Sequence, residues 1–486
     1  MSGKNKKFYI TSTLPYVNAN PHIGFALEII QADVIARHYR NNGCEVFFNT
    51  GTDEHGQKIF QGAQNENIDP KAYCDIYAEK NKKLKAVLNL SYNNFIRTTD
   101  EHHMKAAQEF WNLCFKNGDI YKKNYKVKYC VGCELEKTES ELVSGKCPIH
   151  PNRELEIIEE ENYFFAYSKY QQKLLDFYEK NSDFVIPESR FNEIKGFTKN
   201  GLQDFSISRL KEKMSWGVPV PNDEKHVMYV WFDALVNYIS ALEWPENTEK
   251  FNDFWPGLQV AGKDNLRQQS SMWQAMLMSA GLPNSKQIFI HGFITSSGQK
   301  MSKSLGNVVD PFSLVEKYGT DAVRYFLLRE ILPTEDGDFT YEKFEQRYNA
   351  DLAGGIGNLV ARVLGIVTKI LNFKFEILNK FENKNLQKNI KQNKEKYNLA
   401  LESFKFNEAL ISVWDIIGFC DKYINEEKLW QTQNPKVVND LFLAIKEIAD
   451  LLNPFLPETS EKIEKALEEK KSVALFPRIE KQNIEN

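Results

Sequence analysis

No apolar run in this chain of 486 residues approaches the ~20 residues needed to cross a bilayer. Residues 1–7 are polar and basic with no apolar core behind them, which is not the composition of a secretory signal. An excess of positive charge is also missing. Lys and Arg number 62 against 66 Asp and Glu, a formal net charge of −4, so no global basic field announces a nucleic acid, and any RNA site has to be a local patch. Cysteine is scarce and odd in number, at seven, which argues against a disulfide framework and for a reducing cytosol where thiols bind metal or pack. Internal repeats are absent. The glycines Gly354, Gly355 and Gly357 have the look of a dinucleotide fingerprint, but no strand precedes them, so that reading is rejected. These absences predict a cytoplasmic protein without a membrane partner.

What is present is enough chain for about three domains at ~150 residues each, with an ordinary 42% hydrophobic content. The organising stretch is Lys300-Met301-Ser302-Lys303-Ser304. A short buried strand is expected just before it at 287–292, and a helix start just after it, with Asp310 as cap and Pro311 in the first turn. Two ammonium groups on a flexible loop beyond a strand end suit a polyphosphate. Taken alone, the same stretch reads as a solvated Lys/Ser loop.

Residues 7–13 read as a strand, followed by Leu14-Pro15-Tyr16 and then Pro21-His22-Ile23-Gly24-Phe25 at the opening of a helix. His22 is expected in the first helical turn, where free N–H groups attract anions, and Gly24 lacks the side chain that would keep a flat base away. A second strand at 44–49 ends in Thr50-Gly51-Thr52-Asp53-Glu54-His55-Gly56, with Asp53 free to meet a cation or to cap a helix. Strand, turn, helix, strand, turn is the start of a parallel α/β sheet, whose ligands bind beyond the carboxyl ends of the strands. Cys130-Val-Gly-Cys133 and Cys147-Pro-Ile-His150 are two pairs separated by 13 residues, a spacing that can close a tetrahedral structural Zn²⁺ site. The sheet is expected to resume near His226, with an aromatic group at Tyr229, Trp231, Phe232 and Tyr238, and a further strand at 258–261 leads to Gly262-Lys263-Asp264. After Tyr341 the apolar period is helical to the end, interrupted by a Lys/Asn/Glu-rich stretch at 373–398 read as a solvated connection or frayed helix. Asp100-Glu101-His102-His103 reads as a charged helix start rather than a metal cluster.

The pairing of Leu-Pro-Tyr and Pro-His-Ile-Gly with Lys-Met-Ser-Lys-Ser resembles the two ATP-binding motifs of class I aminoacyl-tRNA synthetases. Gly51–Gly56, Tyr229–Ala234, Gly262-Lys263-Asp264 and Gly357-Asn358-Leu359 extend the likeness over nearly the whole chain, and the full pattern is similar to the methionine-specific branch. The resemblance implies a Rossmann-like parallel-sheet catalytic domain (1–115 and 226–325) with a zinc-knuckle insertion (116–225). A linker that contacts the tRNA stem (326–350) and an all-α helical-bundle anticodon domain (351–486) would follow. It implies ATP-dependent activation of methionine, with Mg²⁺ accompanying the ATP, and transfer to initiator and elongator methionine tRNAs. His22, Lys300 and Lys303 are then the catalytic group. Tyr16, His22, Gly24, Gly262, Asp264 and Lys303 would bind ATP, and Leu14, Tyr16, Asp53, Trp231, Ala234 and Tyr238 would form the methionine pocket. Asn358, Arg362 and Trp430 would read the anticodon, unless Trp430 is a core anchor of the bundle. The family's longer members end in a dimerising domain, which is not seen after residue 479, so a monomer is expected.

Four positions depart from the family pattern. Phe25 stands where a second histidine is usual, Asn265 and Gln269 replace a common isoleucine and histidine, and Leu429 replaces a frequent proline. Three other readings stay open. A small-molecule nucleotidyltransferase would share the His-x-Gly turn but would not need the zinc insertion or the helical tail. A catalytically dead tRNA-binding protein is opposed by Lys303, His22 and Asp53. A synthetase for leucine, isoleucine or valine would need an editing domain larger than the insertion holds.

Overall fold

The computed structural model describes residues 6–137, 139–301, 306–370, 378 and 380–480. The chain forms two compact units, one of residues 1–21, 39–85 and 91–290, the other of residues 22–38, 86–90 and 291–486.

The first unit is built on a six-stranded sheet. Its order is Asn94–Arg97, Glu45–Thr52, Lys7–Ser12, Leu258–Gly262, Gln287–His291 and Val185–Ile186. Lys7–Ser12 runs parallel to both of its neighbours, Glu45–Thr52 and Leu258–Gly262. These strands are buried almost end to end, as parallel strands covered on both faces must be. Strand order reverses between Lys7–Ser12 and Leu258–Gly262, and at such a switch point the two following loops part and leave a crevice at the carboxyl ends. One loop carries Leu14 and Tyr16, and the other carries Asp264. The parallel sheet does not resume near His226. There Asp223–Met228 pairs antiparallel with Ser208–Leu210 and Pro219–Val220, and the parallel sheet waits for Leu258. Residues 223–225 are charged and at least partly exposed, and only His226, Val227 and Met228 are buried, so this strand is not covered end to end as the central parallel strands are. Within 116–225 a four-stranded antiparallel sheet is dominated by the long pair Ile120–Cys130 and Glu156–Phe165.

In the second unit, Ile294–Ser296 pairs antiparallel with Gln299–Lys300 and parallel with Gly337–Phe339. Lys300 therefore lies on a hairpin strand and not in a flexible loop. Ser297 and Gly298 both have positive φ (52° and 75°), the left-handed pair that matches a two-residue turn to strand twist. Asp310 caps the helix Pro311–Tyr318 as expected, its carboxylate accepting from Phe312 N–H at 3.0 Å. Beyond it lie a π-helical stretch, Tyr348–Gly357, and the helices Asn358–Ile370, Lys384–Glu402, Phe406–Glu426, Pro435–Leu452 and Pro457–Glu469. The stretch 373–398, read as a solvated connection or frayed helix, runs into a 19-residue helix, Lys384–Glu402, because Leu386, Ile390, Tyr397 and Leu401 share one buried face amid the charge. Helix does not continue to the end, for 471–480 has no regular structure. Among the described residues one helical stretch, Tyr341–Thr368, is long and apolar enough to cross a membrane, and half of its most apolar window is buried inside the protein.

Candidate active site

At the carboxyl ends of the central strands the Leu14–Tyr16 turn and the Asp53 turn are stitched together by backbone. Asp53 N–H donates to Pro15 O at 3.1 Å and Val17 N–H to Asp53 O at 3.2 Å. Tyr16 meets the indole of Trp231 edge-on with ring centroids 6.3 Å apart, and the Lys58 ammonium lies 4.8 Å over the Tyr16 ring. Trp231 and Ala234 share the short helix Val230–Ala234. Three polar atoms here are buried without a hydrogen-bond partner among the described residues: Tyr16 Oη, Asp53 Oδ1 and Trp231 Nε1. Burial pushes the Asp53 carboxyl well above its ordinary range, and the nearby charge of Asp233 pushes in the same direction. A bare, buried carboxylate oxygen beside two aromatic rings is a costly arrangement that a bound cation with an apolar tail relieves.

Leu14 is half-buried in the same turn as Tyr16. Tyr238 is buried in the next short helix and is fully engaged. Its hydroxyl accepts from Gln269 Nε2 at 2.6 Å and its carbonyl from Tyr9 Oη at 2.8 Å. Gln269, one of the departures, thus belongs to a buried amide network that includes Gln259 and Gln274. Gly262 ends its strand, and the turn beyond it holds the exposed Asp264 and the half-buried Asn265.

Behind Asp53, on the same turn, His55 is nearly fully buried. Its Nδ1–H donates to Asp233 Oδ2 at 2.6 Å, and His103 Nε2–H donates to Asp233 Oδ1 at 2.8 Å. Burial alone would raise the Asp233 carboxyl, yet His55 and then His103 outweigh it and bring it down to about 2. Glu54, between Asp53 and His55, is held by the Arg97 guanidinium at 2.6 and 2.9 Å.

The four predicted metal ligands converge. Cys130 Sγ, Cys133 Sγ, Cys147 Sγ and His150 Nδ1 all lie within 4.8 Å of one another, with edges of 3.3, 3.5 and 3.8 Å. Bonds of ~2.0–2.3 Å in a tetrahedron give edges of about 3.3–3.8 Å, so the donor set fits zinc and leaves no open position for a reactant. Gly132 is obligatory here, since a Cβ on it would lie 2.6 Å from His150 Cγ. Glu134, next to Cys133, joins this turn to the pocket. Its carboxylate accepts from Lys58 N–H at 2.7 Å and Tyr129 Oη at 2.6 Å, and its carbonyl accepts from Tyr229 Oη.

In the second unit His22 stands just before the helix Ile23–Asn41 rather than in its first turn. Its carbonyl accepts from Phe25 and Ala26 N–H, both at 3.1 Å. Gly24 N–H donates to His22 Nδ1 at 3.0 Å, so a neutral imidazole carries its hydrogen on Nε2, free to donate outward. The missing side chain at Gly24 makes room for that ring, because a Cβ there would lie 2.8 Å from His22 Cε1. Lys300 is on its hairpin strand, and Lys303 lies outside the described residues. Asn358 is exposed at the start of its helix, and Arg362, one turn on, donates to Asp421 at 3.2 Å and Asn425 at 3.1 Å. Trp430 is 52% exposed, whereas its neighbour Leu429 is fully buried.

Sequence reasoning gave no role to His55, His103, Asp233 or Glu134. All four lie inside or beside stretches already singled out, but only the fold shows which side chains meet.

A family model described as class I tRNA synthetases (M) matches residues 8–156 and 152–364, and one described as the anticodon-binding domain of tRNA ligases matches 383–486. A methionine–tRNA ligase of Thermotoga maritima is 44% identical over 94% of this chain and 74% of its own length. One from Thermosynechococcus vestitus is 43% identical over 94% and 89%. Among solved structures, Mycobacterium tuberculosis methionyl-tRNA synthetase in complex with methionyl-adenylate superposes with a TM-score of 0.90 at 38% identity, covering 94% of this chain and 93% of that one.

Proposed function

The chain belongs to the methionyl-tRNA synthetases, and from that membership we propose how its residues divide the work. The enzyme activates methionine with ATP and charges methionine tRNA. In the first step the methionine carboxylate attacks the α-phosphate, a P–O bond breaks, and pyrophosphate leaves with the electron pair. The protein's part is alignment and stabilisation of charge on the leaving phosphates. Asp53 holds the methionine ammonium, and Leu14, Tyr16, Trp231, Ala234 and Tyr238 surround the thioether chain. The polarisable sulfur suits aromatic edges. His22 donates from Nε2 to phosphate, Lys300 and Lys303 supply positive charge, and Asp264 with Gly262 takes the ribose. Tyr16 and Gly24 border the nucleotide. Mg²⁺ enters with ATP. The Cys130, Cys133, Cys147 and His150 cluster holds zinc as a structural ion. Asn358, Arg362 and Trp430 meet the anticodon. Residues 116–225 act as the connective insertion between catalytic segments 1–115 and 226–325, 326–350 as the stem-contact linker and 351–486 as the anticodon domain. The reading includes a single-chain enzyme without a membrane partner, in the cytosol, where the three thiolate ligands stay reduced.

The observation that carries the pocket assignment is the buried, unpartnered Asp53 Oδ1 on a turn bonded to the Tyr16 turn, whose ring meets Trp231. Methionine-dependent pyrophosphate exchange tests it. Asp53→Asn is expected to raise KM for methionine at least about tenfold, the scale of one charge-assisted hydrogen bond, with KM for ATP little changed. An unchanged KM for methionine refutes the assignment.

A further inference from the structure

Asp53 is the second residue of a turn whose next two side chains are both anchored. Glu54 is clamped by Arg97, and His55 reaches across to Asp233. Asp233 comes from the short helix that also presents Trp231 and Ala234. A carboxylate only accepts, so the nitrogens facing it, His55 Nδ1 and His103 Nε2, both carry hydrogens. A neutral His103 then has a lone pair on Nδ1, which accepts from Ser240 Oγ at 2.8 Å. The result is a chain of directed bonds, Ser240 to His103 to Asp233 and from His55 to Asp233, in which every member is at most 3% exposed. No member of it belongs to the pocket described above.

We propose that Asp233, fixed by His103 and Ser240, is the positioning residue for the ammonium-binding carboxylate. Through His55 it ties the Asp53 turn to the helix that carries the aromatic wall. Asp53 Oδ1 has no partner among the described residues, while the carboxyl group accepts from the His55 backbone N–H. Its position is set from behind, by the backbone between Pro15 and His55. Asp233 has a second effect. Its negative charge lies near Asp53, and the two imidazole donors concentrate that charge on bonds pointing away from the substrate. Loosening the chain therefore affects recognition of the ammonium and not of the thioether. The inference rests on Asp53 being the ammonium partner.

The test uses the whole enzyme and three ligands: methionine, methioninol, which keeps the ammonium and lacks the carboxylate, and 4-methylsulfanylbutanoate, which keeps the carboxylate and thioether but has no ammonium. Their dissociation constants are measured by titration calorimetry. His103→Leu removes the donor behind Asp233 while touching no substrate group. It is expected to weaken methionine and methioninol by about tenfold, the worth of one charge-assisted hydrogen bond, with 4-methylsulfanylbutanoate within about twofold of wild type. His103→Gln restores an N–H donor and should recover most of the loss. Equal weakening of all three ligands, or no weakening, overturns the proposal. Ser240→Ala decides the matter if His103→Leu does not fold, since it deletes only the hydroxyl that orients the ring. An ammonium-selective loss of about threefold supports the proposal and no loss refutes it. Asp53→Asn in the same assay separates the two layers. If it shows no ammonium selectivity, the reading of Asp53 has failed; if it does and the His103 and Ser240 variants do not, this inference has failed.

Discussion

Replacing Trp430 with alanine separates tRNA recognition from amino-acid activation. The indole sits on a one-turn helix, Leu429–Thr432, bracketed by left-handed residues Lys428 and Gln433. It is 52% exposed, while Leu429 beside it is fully buried and anchors that turn. A half-exposed ring next to a buried leucine argues that Leu429, and not Trp430, is the core residue here. Single-stranded loops are read by stacking unpaired bases on such rings, worth ~1–3 kcal/mol for each base. Trp430→Ala should therefore lower kcat/KM for tRNA charging by about ten- to a hundredfold, and methionine-dependent pyrophosphate exchange without tRNA should stay near wild type. Trp430→Phe keeps a π-face and should recover part of the loss. Leu429→Ala is the contrasting variant, because truncating a buried leucine costs ~2–5 kcal/mol. It should lower the melting temperature first. A parallel fall of charging and exchange in Trp430→Ala, with a lowered melting temperature, would refute the reasoning.

Purified enzyme should hold one zinc per chain, with the thiols of Cys130, Cys133 and Cys147 unreactive until a chelator removes it; a metal-free preparation in which all three titrate freely contradicts the site. Phe25→His should speed adenylate formation about tenfold if the missing imidazole is a lost phosphate donor, and slow it if Phe25, half-buried at the helix start, is packed into the site. Asp233 gives an acid-stability signature. Its folded pKa of about 2 lies below the unfolded value, so it contributes about 2 kcal/mol, present above pH ~4 and lost as the pH falls toward 2. Urea midpoints measured across that window should fall for wild type and stay flatter for Asp233→Asn, and equal slopes would count against the pairing.

Much of the site was legible because its ligands are recorded as contiguous residues. The Cys-x₂-Cys and Cys-x₂-His pairs fold back on themselves, so spacing alone identified four ligands that converge within 4.8 Å. Asp310-Pro311 announced its own cap. What local pattern could not reveal depends on distant partners. Asp233 reads as one acid in an aromatic stretch until the fold brings His55 and His103 to it from two other elements. The hairpin under Lys300 was hidden because a Ser-Gly turn is weak evidence beside a lysine-rich stretch. The helix Lys384–Glu402 was obscured by charge, its five buried apolar positions being too sparse to stand out among lysines and asparagines. Gly24 was read for the ligand alone, and only the fold shows that its missing Cβ also makes room for His22.

The bonds that join the knuckle and those that brace the methionine socket span very different lengths of chain. Cys133 and Cys147 are 14 residues apart, and Cys130 and His150 are 20 apart. His55 and Asp233 are separated by 178 residues, and His103 and Asp233 by 130. Short loops close at small entropic cost and distant ones wait for the chain between them. During synthesis the metal ligands are complete once residue 150 has emerged, more than eighty residues before Asp233 exists. On the proposed assignments, a nascent chain stalled between those two points would hold all four candidate metal ligands while still lacking Asp233. On that reading, metal loading and substrate competence would be successive stages in the making of one molecule.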